Sequence, residues 1–354
     1  MTGEVEHTMH LRVSDRNIAE TALALRVHGG RIDVVALLYP SAPQPWIDLS
    51  TGINPHAWPV PSVAIGRYQR LPTHNDISQL CQAAASFYGL PDNAEIIPVP
   101  GSEIAIRWLP KLIPSARVGI LGPTYRSHTD VWTDAGAKVE ELSQLPDAAT
   151  SRHDTLVIVN PNNPDGRIFR RDRLASFAKA WTATGRRLIC DEAFADVVEG
   201  SSLLGLPELP AGVVVLRSLG KFFGLAGLRV GFVIVAKPDA AAWHRALGDW
   251  PVSGPACEIA GLALRDSVWI AQMKQRLAHD RKRLDDVMES AGFRVIGGTD
   301  LFGLFSRPDD RDWLDHYAKA GILIRGFSPA SRHYRIGLPP DESAWQRLKL
   351  AAGV

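Results

Sequence analysis

The sequence predicts an α/β fold in which helices wrap a mostly parallel sheet, followed by a smaller α+β domain. Between Ile96 and Val235, short apolar runs rich in β-branched residues alternate with helical segments, the pattern of strands joined by crossover helices. The chain has 354 residues, of which 45% are hydrophobic, enough to form the cores of two domains. A Pro- and Gly-rich stretch at Trp250–Pro255 is typical of a linker between domains.

The elements of the first part have recognisable boundaries. Residues 14–28 have apolar side chains at helical spacing, which predicts a first helix. A short strand over 46–49 runs into the Asn54–Pro55 turn, and a helix over 76–88 ends at Gly89. The sheet strands are expected near residues 96–99, 118–121, 139–142, 156–160, 187–190, 213–216 and 231–235.

The second part is expected to form the small α+β domain. A long amphipathic helix over 266–290 carries Arg and Lys on one side, which indicates a solvated face rather than a binding patch. Short strands are expected near residues 293–296, 301–305 and 322–324. The expected division is a large domain over 48–250 and a small domain made of 1–47 and 251–354.

Composition excludes several classes of function. The net charge of +1 gives no electrostatic basis for binding nucleic acid or an anionic membrane. The three cysteines are widely spaced and the 11 histidines do not cluster, so neither a disulfide framework nor a metal site is expected. The N-terminus lacks the apolar core of a signal peptide, and charged residues interrupt the longest apolar region, 212–236. We therefore expect a cytoplasmic protein.

The most informative stretch is 218–231, which places Lys221 and Arg229 between two apolar runs that read as buried strands. Burying an ammonium group costs several kcal/mol unless it is paired, neutralised or bonded covalently. A lysine whose pKa is lowered by burial is a nucleophile for Schiff-base formation with a carbonyl. The alternative is a surface-loop lysine whose amine extends out between the strands.

This stretch resembles the cofactor-lysine motif of the fold-type-I pyridoxal 5'-phosphate (PLP) enzymes, the aspartate aminotransferase superfamily. The matching residues are Ser218, Lys221, Gly224, Leu225, Gly227, Arg229 and Gly231. The resemblance implies an aspartate aminotransferase-like fold, with Lys221 joined to the cofactor as a Schiff base. It also implies that Ser218 and Arg229 bind the cofactor phosphate. Gly220 departs from the family pattern, which usually has Ser or Thr there.

Further cofactor contacts are expected where strands end. Gly101, Ser102 and Glu103 open a helix, either as a plain N-cap or as the phosphate-binding loop that the family has at this point. Tyr125 either fills the core or, as in the family, stacks on the cofactor ring as a catalytic residue. Asn163 lies in a double Asn-Pro turn that resembles the family motif whose asparagine binds the phenolate oxygen of the cofactor.

Asp191 and Glu192 follow the strand near 187–190 and are candidates for acid/base groups, a metal pair or a solvated rim. The resemblance assigns Asp191 to the cofactor's pyridine nitrogen, where a carboxylate stabilises the protonated ring as an electron sink. Many relatives have tyrosine where this chain has Phe194. The family resemblance thus implies Lys221, Asp191 and Tyr125 as the catalytic residues.

Substrate contacts are also implied by resemblance. Arg335 matches the family arginine that binds the substrate carboxylate, and Arg325 lies where histidinol-phosphate aminotransferases bind a substrate phosphate. Asn54, in the Ser50–Pro55 run, is a candidate substrate contact or simply part of a turn. Tyr68 corresponds only loosely to the tyrosine that reaches the cofactor phosphate of the partner subunit.

Within the superfamily the sequence most closely resembles the threonine-phosphate decarboxylases of cobalamin synthesis. The resemblance implies a lyase that acts on a small phosphorylated amino acid, in a homodimer with the site at the interface. The alternatives are a histidinol-phosphate aminotransferase or related PLP-dependent aminotransferase, which consumes a keto acid, and a PLP-binding regulatory module. Sequence alone does not separate a decarboxylase from an aminotransferase, because the same set of cofactor-binding residues supports several reactions.

Overall fold

The computed structural model describes residues 29–327 and 332–354. The helix expected over 14–28 lies outside the described residues. The α-helices are α1 Ile32–Leu38, α2 Gly66–Gln69, α3 His74–Tyr88, α4 Ser102–Leu112, α5 Ser127–Asp134, α6 Arg171–Thr182, α7 Lys237–Leu247, α8 Gly254–Arg265, α9 Ser267–Ser290, α10 Trp313–Lys319 and α11 Glu342–Ala352. The strands are β1 Ile47–Asp48, β2 Ala94–Val99, β3 Arg117–Leu121, β4 Lys138–Leu142, β5 Thr155–Val159, β6 Arg187–Asp191, β7 Val213–Ser218, β8 Gly231–Ala236, β9 Arg294–Thr299, β10 Phe302–Ser306, β11 Ile322–Leu323, β12 Arg325–Gly326 and β13 His333–Gly337.

The central sheet of the described chain has seven strands in the order β2-β8-β7-β6-β5-β3-β4. All neighbours are parallel except β8, which runs antiparallel to both β2 and β7. Each strand expected from the sequence over 96–235 is present, and the α/β fold class is confirmed. The carboxyl ends of β2, β3, β5, β6 and β7 consequently meet at one edge, where ligands of such sheets bind.

Both faces of this sheet are buried. Successive residues of β5 alternate between two hydrophobic clusters, with Leu156 and Ile158 in one and Val157 in the other. The same alternation occurs in β6 and β7, because neighbouring side chains of a strand point to opposite faces. Continuous apolar strands are what a parallel sheet covered by helices on both sides requires.

The second sheet of the described residues is antiparallel, in the order β12-β13-β10-β9. It brings Arg325 on β12 directly opposite Arg335 on β13. The long helix α9 closely matches the expected 266–290, whereas β12 is too short and β13 too polar to be recognised from pattern alone.

The expected division at residue 250 stays a prediction. The pairing of Ile47 in β1 with Ile322 in β11 joins two parts of the expected small domain, whereas the packing of α8, which follows the Pro- and Gly-rich stretch, on α3 crosses the expected boundary. Ser253 caps α8 by accepting a hydrogen bond from the N–H of Ala256, so the chain resumes a helix soon after the turn. None of the helices in the described ranges is long and apolar enough to cross a membrane.

Candidate functional site

A cavity of about 270 Å³ opens at the edge where the parallel strands end. This volume is close to the lower end of the roughly 300–1,000 Å³ that small-molecule sites occupy. The residues that were expected from the sequence and that line this cavity are Gly101, Ser102, Glu103, Tyr125, Asn163, Asp191, Ser218, Lys221 and Arg229. They come from the ends of five different strands, so the sheet topology assembles residues that lie far apart along the chain.

Lys221 projects into this cavity from the loop after β7. Burial lowers the pKa of its amine from 10.5 to about 8, and the positive charges of Arg335 and Arg229 contribute to this decrease against the opposing effect of Asp191. The amine therefore loses its proton as the pH rises through about 8 rather than near its ordinary value. A neutral amine is the form that attacks a carbonyl carbon.

Asp191 is buried at the end of β6 and is held by two described neighbours. Its Oδ1 accepts a hydrogen bond from the N–H of Ala193 at 3.1 Å, and its Oδ2 lies 3.0 Å from Nε2 of His128. His128 is fully buried, and its Nδ1 has no partner among the described residues. We assign its proton to Nε2, because the Asp191 carboxylate oxygen that faces Nε2 can only accept a hydrogen bond.

Sequence reasoning missed His128. The signal available was its spacing of three residues from Tyr125, which lies just before α5 and whose carbonyl accepts a hydrogen bond from the N–H of His128. The two rings are edge to face with centroids 6.3 Å apart. No recognised motif surrounds His128, so the sequence does not distinguish it from the other ten histidines.

A buried ion network lies behind Asp191 and Ser218. Arg217 donates to the Glu192 carboxylate at 2.9 Å and also pairs with Asp196, and its guanidinium lies 4.3 Å from the ring of Tyr88. Burial alone would lower the pKa of Arg217, but Asp196 and Glu192 together raise it above its ordinary value. Because Glu192 follows Asp191 and Arg217 precedes Ser218, the network fixes the ends of β6 and β7 relative to each other.

The start of α4 and the loop carrying Arg229 form a cradle for an anion. Ser102 is the first residue of α4, Ser218 ends β7, and both line the cavity beside Arg229. The free N–H groups at a helix start, a hydroxyl and a guanidinium are good phosphate ligands. Gly101 allows this approach, because a Cβ there would lie 2.6 Å from Nη2 of Arg229.

We expect Gly101→Ala to weaken phosphate binding as well as stability. Gly101 has φ +82°, so a side chain there costs about 1–3 kcal/mol of backbone strain, and the new methyl group would also displace Arg229. The matched control is Gly136→Ala, because Gly136 has φ +83° and a Cβ there would meet nothing within 4 Å. The unfolding temperature should fall in both variants, and the dissociation constant for PLP should rise only in Gly101→Ala. Equal PLP binding in the two variants would contradict this role of Gly101.

Tyr125 and Asn163 complete the wall of the cavity. The Tyr125 hydroxyl donates to a carboxylate oxygen of Glu103 at 3.2 Å, which fixes the direction of the ring. Asn163 accepts a hydrogen bond through Oδ1 from Nη1 of Arg335 at 2.7 Å. Its amide nitrogen therefore points away from Arg335 and is available to donate.

Arg335 is buried behind Asn163, and its Nη2 also donates to the Ser50 carbonyl at 2.6 Å. Burial and the nearby charge of Arg325 lower the pKa of Arg335 to about 9. Burial similarly lowers the pKa of Arg325 to about 10. Two desolvated cations on neighbouring strands favour a ligand that carries two negative groups.

Four of the expected residues are not among those that line the cavity: Arg325, Arg335, Asn54 and Tyr68. Asn54 lines a separate groove of about 530 Å³, together with Trp46 and Arg347. Tyr68 is exposed on α2 and lines an outer groove. The roles expected for these two residues stay predictions.

The cavity fits a phosphorylated pyridine aldehyde such as PLP. It has an amine for the aldehyde in Lys221, a carboxylate for the ring nitrogen in Asp191, an amide for the phenolate in Asn163 and the anion cradle for the phosphate. Phe194, which lies 5.5 Å from Nζ of Lys221, presents a ring without a hydroxyl at this wall.

Comparisons with known proteins show the family to which this chain is related. Residues 45–338 match the family described as aminotransferase class I and II. The threonine-phosphate decarboxylase of Sinorhizobium sp is 39% identical over 91% of this chain and 96% of its own. That of Pseudomonas aeruginosa is also 39% identical, over 92% of this chain and 96% of its own.

Among solved structures, the histidinol-phosphate aminotransferase of Sinorhizobium meliloti in complex with pyridoxal-5'-phosphate has a TM-score of 0.76 and 21% identity. The match covers 91% of this chain and 92% of that one, so the two share their fold. The region of the chain that matches the family includes both sheets and the whole cavity. This chain therefore belongs to the class I and II aminotransferase family.

Proposed function

We propose that this protein is a PLP-dependent lyase that converts L-threonine O-3-phosphate to (R)-1-amino-2-propanol O-phosphate and CO2, a step of cobalamin biosynthesis. Two relatives that are 39% identical over nine tenths of this chain are threonine-phosphate decarboxylases. The structural observation that supports it most directly is the position of Arg325 directly opposite Arg335, which itself donates a hydrogen bond to Asn163 in the wall of the lysine cavity. A substrate with one carboxylate and one phosphate matches two neighbouring cations.

The residues of the cavity have separate tasks in this proposal. PLP, when bound, supplies the electron sink for the pair released as the bond to the carboxylate breaks. Asp191, held by His128, keeps a proton on the ring nitrogen of the cofactor. Lys221 would hold the cofactor aldehyde through its neutral amine, and its protonated form would donate the proton that replaces the carboxylate; a pKa of about 8 gives access to both forms near that pH. The buried walls around Lys221 exclude water from this step.

Arg335 is the proposed carboxylate ligand and Arg325 the proposed phosphate ligand. Two hydrogen bonds to Asn163 and Ser50 hold the Arg335 fork in a fixed plane, which suits a planar carboxylate. Both polar atoms of the Asn54 side chain are bonded to backbone groups, so the contact with substrate that the sequence predicts for Asn54 would need one of these hydrogen bonds to break.

We expect Arg325→Gln to lower kcat/KM for O-phospho-L-threonine by about 10- to 100-fold, the usual loss for a hydrogen bond to a charged group. The value of kcat/KM for L-threonine, which we expect to be much lower in the wild type, should not change, because that substrate has no phosphate. The control is Arg283→Gln, which removes an arginine paired with Glu342 away from the cavity. A similar loss of kcat/KM with both substrates would mean that Arg325 does not bind the substrate phosphate.

The proposed reaction is tested by incubating the purified protein with PLP and O-phospho-L-threonine, and measuring CO2 with and without 2-oxoglutarate. The proposal predicts CO2 release at the same rate in both samples. CO2 absent from both, with glutamate formed from 2-oxoglutarate when histidinol phosphate is the donor, would instead establish the aminotransferase alternative.

We also propose that the protein works as a cytoplasmic homodimer. The unpaired cysteines Cys81, Cys190 and Cys257 are typical of a reducing compartment. Tyr68, Leu71 and Trp250 are more than half exposed and line one groove that reaches Gly227 and Leu228, close to Arg229. Apolar side chains grouped in this way favour contact with a second copy of the chain.

Leu71→Glu is expected to shift the protein from dimer to monomer and to lower its activity, because it places a charge in the proposed contact. Leu37→Glu is the matched control, since both leucines are 61% exposed but Leu37 lies on α1, outside this groove. Light scattering with detection of molar mass distinguishes the two states. A fully active wild-type monomer at micromolar concentration would contradict the dimer.

A further inference from the structure

The segment formed by residues 49–58 lies across the loop that carries Lys221. Three consecutive carbonyl groups of that loop accept hydrogen bonds from it. The N–H of Asn54 donates to the Lys221 carbonyl at 3.0 Å, and the N–H of Trp58 donates to the Phe223 carbonyl at 2.9 Å. Between them, Nδ2 of Asn54 donates to the Phe222 carbonyl at 2.7 Å.

Asn54 is the centre of this contact. Its side chain is 2% exposed, and its Oδ1 accepts a hydrogen bond from the N–H of His56 at 2.8 Å. Both ends of the amide are thus bonded to backbone groups, one on each side of the contact. Such a group is costly to remove, because it leaves a buried carbonyl and a buried N–H without partners.

Close packing reinforces these hydrogen bonds. A Cβ at Gly224, which has φ +68°, would lie 2.7 Å from Cα of Ala57 and 2.8 Å from the Asn54 carbonyl oxygen. The two backbones therefore approach as closely as a glycine permits. The loop after Lys221 has little room to move away from the 49–58 segment.

The segment is itself anchored at both ends. The Ser50 carbonyl accepts a hydrogen bond from Arg335 at 2.6 Å, and Nε2 of His56 lies 3.0 Å from the Asp280 carboxylate on α9. Its backbone thus connects the proposed carboxylate ligand with the backbone of the cavity lysine. The contact that the structure gives to the Lys221 amine itself is the ring of Phe194, 5.5 Å away.

We propose that Asn54 is a positioning residue, which fixes the backbone at Lys221 and Phe222 and thereby holds the Lys221 amine in its desolvated place in the cavity. The inference rests on the proposed function for the importance of that amine. It assigns to Asn54 a role through Lys221 rather than a contact with substrate.

The test compares Asn54→Ala with Asn93→Ala in the full-length apoprotein. Asn93 is a matched control, because it also bridges buried backbone through two side-chain bonds, to the carbonyl and the N–H of Leu209, at the far end of β2. The readout is the rate at which a small acetylating reagent labels Lys221 at each pH, measured by peptide mass spectrometry. Both variants keep Asp191, Arg335, Arg229 and Phe194, the groups that face the amine.

We expect the labelling midpoint of Lys221 to move upward by about one pH unit in Asn54→Ala, toward the ordinary lysine value, and to stay unchanged in Asn93→Ala. Should Asn54→Ala not fold, Asn54→Ser carries the same expectation with a smaller shift. Midpoints that coincide in wild type and in the Asn54 variant would overturn the inference, even if both Asn variants unfold at lower temperature. Because the labelling needs neither PLP nor substrate, failure of this inference is separate from failure of the proposed reaction.

Discussion

Lys221→Ala is expected to reduce decarboxylation by at least about 10⁴-fold, since one residue would lose both a covalent and a proton-transfer role. The physical reason is that Lys221 supplies the amine of the cavity. Burial lowers the pKa of this amine to about 8, so that much of it is uncharged near that pH. In the wild type, borohydride treatment with PLP should add the reduced cofactor to the peptide containing Lys221. In the variant that peptide should carry no addition.

Lys282→Ala is the control for this change, because Lys282 is an exposed lysine on α9 that pairs only with Asp286 among the described residues. It should retain wild-type activity and the same modified peptide. If borohydride instead fixed the cofactor to a different lysine of the wild type, Lys221 would not be the residue that binds the cofactor aldehyde.

Asp191→Asn should lower kcat by roughly 10³-fold while the fold is preserved. Asparagine has the same shape and still accepts from the N–H of Ala193, but it lacks the negative charge that keeps a proton on the ring nitrogen. His128 would then lose its anionic partner at 3.0 Å. Steady-state kinetics together with thermal unfolding measure the two effects separately.

The matched control is Asp154→Asn, whose carboxylate accepts hydrogen bonds from the N–H groups of Ala116 and Arg117 outside the cavity. It should affect stability but not kcat. Equal kcat values for Asp191→Asn and the wild type would show that the ring nitrogen needs no carboxylate, and the proposed role of Asp191 would be wrong.

The strands of the central sheet were predictable because each is short, apolar and bounded by turn residues. Val213–Leu216 and Val230–Val235 differ little from one another in composition, however, and nothing in them predicts that β8 alone runs antiparallel. Residues 219–230 join β7 to the antiparallel β8 and contain only a short turn over Ala226–Leu228, without the crossover helix that usually joins parallel strands. The sequence pattern predicts where a strand lies but not the direction in which it runs in the sheet.

The cavity was predictable for the opposite reason, since its residues sit in motifs with unusual chemistry, such as Lys221 between two buried strands. His128, Arg217 and Asn54 were harder to place because their roles come from partners distant in sequence. Asn54 meets Phe222 across 168 residues, and an Asn-Pro turn gives no sign of that contact. Supporting residues of this kind become visible only when the fold brings their partners together.

The most direct test of the account is product analysis of O-phospho-L-threonine turnover in heavy water, with PLP and no keto acid. The account predicts aminopropanol phosphate in which a single deuterium replaces the lost carboxylate, formed in equal amount to CO2. A phosphorylated 2-keto acid that keeps its carboxylate, formed in no more than one equivalent of the PLP as PLP is converted to pyridoxamine phosphate, would contradict the decarboxylation and identify an aminotransferase.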